Sequence, residues 1–123
     1  MFVKTISESD VYLFAGITGD FNPAHINEEY ARESVFKTRI AHGMLTASLI
    51  STVLGTKLPG PGTIYLSQDT KFLKPVLIGD TIAAIVKIVD LNKEKNKVKL
   101  ETICINQKNE TVLEGFALVK APK

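Results

Sequence analysis

The stretch Asp20-Phe21-Asn22-Pro23-Ala24-His25 sets a carboxylate and an imidazole five residues apart around an Asn-Pro pair. Asn and Pro favour tight, non-helical backbone, so the two side chains can converge on one small object. A carboxylate accepts hydrogen bonds, and an imidazole accepts or donates them. Together they can orient one water molecule and pass its protons. An enzyme that adds water to a substrate, or removes it, needs that equipment.

Other reactive groups are few. Cys104 is the only cysteine, which excludes an internal disulfide. It falls in an apolar strand pattern and reads as a small buried hydrophobe rather than a nucleophile. Two histidines and one cysteine give no metal-ligand cluster of useful spacing, so no metal is expected. There is no Gly-rich phosphate loop, dinucleotide fingerprint or Gly-x-Ser-x-Gly elbow, and no cofactor is expected.

The elements that must position the pair can be read along the chain. Ser7 with Asp10 fits a capping box that opens a first helix, with Val11, Phe14 and Ala15 on one face. That helix should end at Gly16–Gly19, and the Asp20–His25 turn follows. Asn27 can cap a short second helix through Arg32. From Ile40 to Thr56 there is no charged residue. A membrane span needs about 20 predominantly apolar residues. This run is shorter and carries His, Ser and Thr, so it predicts a helix in the middle of a soluble protein. Gly55 ends it, and Pro59-Gly60-Pro61-Gly62 forces a loop.

The remainder reads as strands: Thr63–Phe72, Thr81–Leu91, Lys97–Ile105 and Thr111–Lys120. Val98, Leu100, Thr102 and Cys104 alternate with Lys97, Lys99 and Glu101. Asn92–Asn96 and Asn106–Glu110 are polar hairpin loops, which implies antiparallel pairing. The expected class is α+β: one apolar helix covered by an antiparallel sheet, in a single domain over residues 1–123.

Composition narrows the partners. Fifteen basic and 13 acidic residues give a net charge of +2, which offers no reason to expect nucleic acid. Lys93, Lys95, Lys97 and Lys99 read as a solvated hairpin tip and strand face. The start of the chain has no apolar core or cleavage site of a signal peptide, so the cytoplasm is expected. No membrane partner is expected either.

These residues resemble the MaoC-like, (R)-specific enoyl-CoA hydratases of the hot-dog fold, in which a curved antiparallel β-sheet wraps a central α-helix. The family signature is matched by Phe14 to Thr18, Gly19-Asp20-Phe21-Asn22-Pro23, Ala24, His25 and then Ala31. Only Ala24 departs, being smaller than the usual Leu, Ile or Val. Ile40-Ala41-His42-Gly43-Met44-Leu45 looks like the family's helix entry. Leu58-Pro59-Gly60 and Pro75 with Gly79-Asp80 resemble later landmarks. The similarity runs from Ser7 to about Lys120.

The resemblance implies reversible syn hydration of a trans-2-enoyl-CoA thioester to an (R)-3-hydroxyacyl-CoA. It implies that Asp20 is the general base and holds the water, and that His25 orients the same water and relays a proton. Asn22 is expected to hold the Asp20 carboxylate in place. Gly43, at the start of the central helix, is the expected oxyanion donor through its backbone N–H. His42 is expected to be structural or substrate-positioning, and Ser51 aligns with a pocket position near the pair. The family's short members are homodimers, so a homodimer is expected. Three rivals stand beside this reading: a dehydratase acting on acyl carrier protein thioesters, a thioesterase, and a non-catalytic acyl-CoA-binding module.

Overall fold

The computed structural model describes all residues, 1–123. Strand β1 (Phe2–Thr5) leads into helix α1 (Glu8–Thr18), then α2 (Pro23–Ile26), α3 (Glu28–Arg32) and the long α4 (Gly43–Thr56). Four strands follow: β2 (Ile64–Phe72), β3 (Thr81–Asn92), β4 (Lys97–Ile105) and β5 (Thr111–Lys120). With β1 they form one five-stranded antiparallel sheet in the order β1-β3-β4-β5-β2. Three register shifts, at Tyr65/Ser67, Ile88/Asp90 and Cys104/Ile105, interrupt the ladders. Each such irregularity bends its strand and increases the local twist, which curls the sheet.

Helix α4 packs on the inner face of that sheet. Leu45, Leu49, Ile50, Val53 and Leu54 of the helix join Ile82, Ala84, Val98, Leu100, Cys104, Leu113, Ala117 and Val119 in one buried core. The alternation in β4 holds: Val98, Leu100, Thr102 and Cys104 are buried. Truncating a fully buried side chain such as Ile50 or Leu54 to Ala would cost about 2–5 kcal/mol. No helix is long and apolar enough to cross a membrane.

Three features differ from the sequence-based expectation. A four-residue strand, β1, lies beside β3 where the reading had none. It is too short and too edge-like to announce itself by alternation. The strands do not all pair in sequence order, because β2 crosses to the far edge and pairs with β5. Helix α4 is also not enclosed all round. Met44, Ser48, Ser51 and Gly55 are exposed along one side of it. The run lacks charge on that side without being covered by its own chain.

Around the helical layer, one cation ties the pieces together. Arg39 donates from Nη2 to Glu8 Oε1 at 2.8 Å, from Nη1 to the Tyr12 hydroxyl at 2.8 Å and from Nε to Glu28 Oε2 at 3.2 Å. The Tyr12 hydroxyl and the Arg39 guanidinium hold the Glu8 carboxyl below its ordinary range. This clasp joins α1, the start of α3 and the segment that enters α4.

Candidate active site

Helix α1 ends where Gly19 takes a left-handed conformation, φ 82°, and its N–H bonds back to Ala15 O at 2.8 Å. Glycine adopts that conformation without a Cβ penalty, which makes it the usual stop for a helix. The reversal delivers Asp20. Its N–H donates to Thr18 Oγ1 at 3.1 Å, and its Oδ1 accepts the Asn22 N–H at 3.1 Å. One carboxylate oxygen is therefore held by backbone and the other is left for chemistry.

The Asn-Pro pair does more than turn the chain. Asn22 Oδ1 accepts the Ala24 N–H at 3.0 Å and caps α2, with Pro23 at its first turn. Proline is well suited to that position, because its fixed φ is helical and no N–H is needed there. His25 thus sits on a short helix, where a non-helical turn was expected. It is the main chain of Asn22, not its side chain, that restrains the Asp20 carboxylate.

His25 is buried. Its Nδ1 lies 2.7 Å from Ile40 O. A carbonyl only accepts, so Nδ1 carries the proton and Nε2 is the nitrogen free to act. Ile40 follows Arg39, so the clasp described above also fixes the acceptor that orients His25.

His42 is buried behind His25. The two rings stack with centroids 4.0 Å apart and planes 29° apart. His42 Nε2 lies 2.9 Å from the Asp20 carbonyl oxygen, and its Nδ1 is buried with no partner. Asp20, His25 and His42 each bring one ligand atom to within 4.8 Å of the others. This grouping was invisible in the spacing, since His42 comes from a different element. Each imidazole already has one nitrogen on a carbonyl, which leaves one free nitrogen apiece. The arrangement suits proton handling better than chelation.

Gly43 opens α4, and its N–H has no acceptor within the chain. It lines a cavity of about 360 Å³ together with His25, Ile40, Thr46, Phe72 and Val112. A Cβ on Gly43 would lie 2.9 Å from the Phe72 ring, so any side chain there would narrow this cavity. Ser51 lies elsewhere, on the exposed side of α4 and outside the cavity of its own chain. Phe72, Val112 and the Ile40 carbonyl were not singled out from sequence. Nothing in their types marks them; only the fold brings them to the cavity. Cys104 sits behind the cavity wall, where burial pushes its thiol up to about 12, and at neutral pH it is no nucleophile.

The profile of the MaoC like domain family matches residues 3–111. The chain is 58% identical over 119 residues to an (R)-specific enoyl-CoA hydratase of Rhodospirillum rubrum, covering 97% of this chain and 82% of that protein. It is 52% identical over 120 residues to a 3-hydroxybutyryl-CoA dehydratase of Methylorubrum extorquens, covering 98% and 76%. Among solved structures it matches an (R)-hydratase from A. caviae with a TM-score of 0.95 and 39% identity, over 98% of this chain and 92% of that one.

Proposed function

This chain belongs to the MaoC-like family, and we propose that it is a hydro-lyase interconverting trans-2-enoyl-CoA and (R)-3-hydroxyacyl-CoA. The observation that carries the reading is one cavity lined by His25 and by Gly43, whose helix-start N–H is unpaired, with Asp20 and His25 bringing a carboxylate oxygen and a ring nitrogen within 4.8 Å of each other.

The chemistry follows from those groups. A water that donates its two hydrogens to Asp20 and to His25 Nε2 has a lone pair left to aim at C3 of the enoyl thioester. As the oxygen bonds to C3, the C2–C3 π electrons move toward the thioester carbonyl. The free Gly43 N–H, at the positive end of α4, meets the oxygen that gains charge. The Asp20–His25 pair takes one proton from the water and returns a proton to C2 on the same face. The net result is addition of one water, with the pair restored. Dehydration is the same path reversed. Because both groups act on one water, they form a coupled unit.

We infer further that the working form is a homodimer. Strand β2 ends the sheet with nearly every residue exposed, including Ile64 and Leu66, and the uncovered side of α4 lies on the same molecule. A long open edge is a ready template for pairing with another chain. Sedimentation equilibrium at micromolar concentration should give about twice the 13.5 kDa of one chain; a fully active monomer refutes the pairing.

Crotonyl-CoA tests the reaction itself. Hydration should remove the enoyl thioester absorbance, and chiral analysis should identify the product as (R)-3-hydroxybutyryl-CoA. No turnover, or the (S) product, overturns the proposal. Release of free thiol instead would point to a thioesterase.

A further inference from the structure

We propose that His42 is the positioning residue of this site: in its Nε2–H tautomer it sets the Asp20 carboxylate against the His25 ring and the Gly43 N–H. The inference rests on the hydratase reading for the role of those three groups, and on geometry for the rest.

His42 touches all three residues, Asp20 through its main chain. Its Nε2 is 2.9 Å from the Asp20 carbonyl oxygen, which only a donor can satisfy, so the proton is on Nε2. Its ring face lies against His25 at 4.0 Å. It is the chain neighbour of Gly43 and the residue on which α4 begins. On the other side Phe14 of α1 packs against it at 4.9 Å, tilted by 54°. The imidazole is thus clamped between α1, the helix that precedes Asp20, and α2, the helix that carries His25. Moving it moves the carboxylate and the imidazole relative to each other.

A purely structural explanation fits poorly. His42 is only 2% exposed, and its Nδ1 has no hydrogen-bond partner. A buried acceptor without a donor destabilises, and an apolar ring of similar shape would fill the space without that cost. Nor does His42 cap its own helix, since its side chain makes no bond to the α4 backbone. What a phenyl ring could not supply is the Nε2–H bond to the main chain of Asp20.

Two variants separate the bond from the ring. His42→Phe keeps an aromatic face for His25 and loses the donor. His42→Gln loses the face but places an amide N–H close to where Nε2 sits. With crotonyl-CoA, His42→Phe should lower kcat by about 10–10²-fold, the scale that a misplacement of about 1 Å produces, with KM nearly unchanged. His42→Gln should restore most of the rate. If His42→Phe turns over like the wild type, or if His42→Gln is as slow as His42→Phe, the proposal is wrong. Poor folding of either variant is read separately from its melting curve, and kcat is referred to folded protein.

Long-range ¹H–¹⁵N spectra of the imidazoles give a readout independent of turnover. The wild type should show protonated Nε2 in His42 and protonated Nδ1 in His25. In His42→Phe the His25 signals should broaden or split as its partner across the site loosens; in His42→Gln they should stay sharp. A wild type that fails to hydrate crotonyl-CoA would sink the hydratase reading, and these spectra would then decide the positioning role alone. A His42 ring protonated on Nδ1 would overturn it.

Discussion

Two helices of this chain begin in opposite ways. Helix α1 starts closed: Ser7 Oγ accepts the Asp10 N–H at 3.1 Å, Asp10 Oδ2 accepts the Ser7 N–H at 2.9 Å, and Lys4 stands 3.2 Å from the same carboxylate. Helix α4 starts open: the His42 side chain makes no capping bond, and Gly43, whose N–H has no acceptor in the chain, lines a cavity. The first four N–H groups of any helix need partners. Where side chains provide them, the helix start serves stability. Where an exposed start is left bare beside a cavity, its N–H is available to a ligand. The contrast predicts that changes near the α4 start reduce turnover and leave melting alone, whereas changes at the α1 start do the reverse.

The largest effect should come from Asp20, whose main chain is held by the residue that begins α4. Asp20→Asn keeps size and hydrogen-bonding capacity but cannot take a proton. General acid–base groups contribute about 10²–10⁴-fold, so crotonyl-CoA hydration should fall at least that far with an unchanged melting curve. His25→Gln should lose a similar factor. The double variant should lose much less than the product of the two, because residues acting on one water are non-additive. Cleanly multiplicative losses would mean separate steps and would break the comparison at its strongest point.

Gly43 comes next. Gly43→Val should reduce turnover by roughly 10²–10³-fold, the cost of losing one oxyanion donor in comparable sites. The three atoms nearest to a Cβ there all belong to the Phe72 ring, which is exposed, so the fold should survive. Adding Phe72→Ala sharpens the question. It relieves the contact inside the protein but not the blocked approach to the N–H, so the double variant should remain slow. Recovery of most of the rate would assign the loss to the displaced ring instead.

Much of this was legible beforehand, and the pattern of what was not is instructive. β4 and β5 were read from sequence at their observed bounds, because alternation and polar hairpin loops are local signals. The pairing of β2 with β5 was not, since register between distant strands leaves no local trace. In the site, Asp20 and His25 announced themselves by their spacing. The stacking of His42 on His25, and the role of the Ile40 carbonyl, depend on α4 entering beside α2. Arg39 enforces that approach through Glu8 and Glu28, which lie 31 and 11 residues away along the chain. The open side of α4 shows the same limit in reverse: absence of charge predicts burial, but not whether the chain itself or another copy supplies it.

At the closed end, Ser7→Ala should cost about 1 kcal/mol of folding stability, the usual price of a lost N-cap side chain. Urea denaturation would show it as a lower midpoint with unchanged slope. Turnover per folded molecule should match the wild type. A Ser7→Ala protein that melts normally but hydrates slowly would put function at the wrong helix and undo the contrast.

The smallest effect expected is in how stability depends on pH, and it isolates the charge in that same cap. Burial pushes the Asp10 carboxyl up, but the Ser7 N–H, the Lys4 ammonium and the Ser7 hydroxyl together outweigh it and hold the group below its ordinary 3.8. A carboxyl whose value is lower in the folded state stabilises the fold fully above its unfolded value. That contribution is lost as the pH falls through the folded value. Asp10→Asn should therefore be less stable than the wild type at pH 7, by less than about 1 kcal/mol because the Lys4 partner is partly exposed. The gap should begin to close as the pH drops below about 4 and go on closing as it falls through the lowered folded value, where the wild-type carboxyl protonates too. Glu8 and Glu28 also lose their favourable charge in acid, but they do so in both proteins and cancel from the difference. Urea midpoints of the pair at pH 7 and pH 3 measure it directly. A gap that stays constant with pH would show that it does not come from the Asp10 charge. Turnover at pH 7 should be the same for both proteins, because neither Ser7 nor Asp10 lines the cavity.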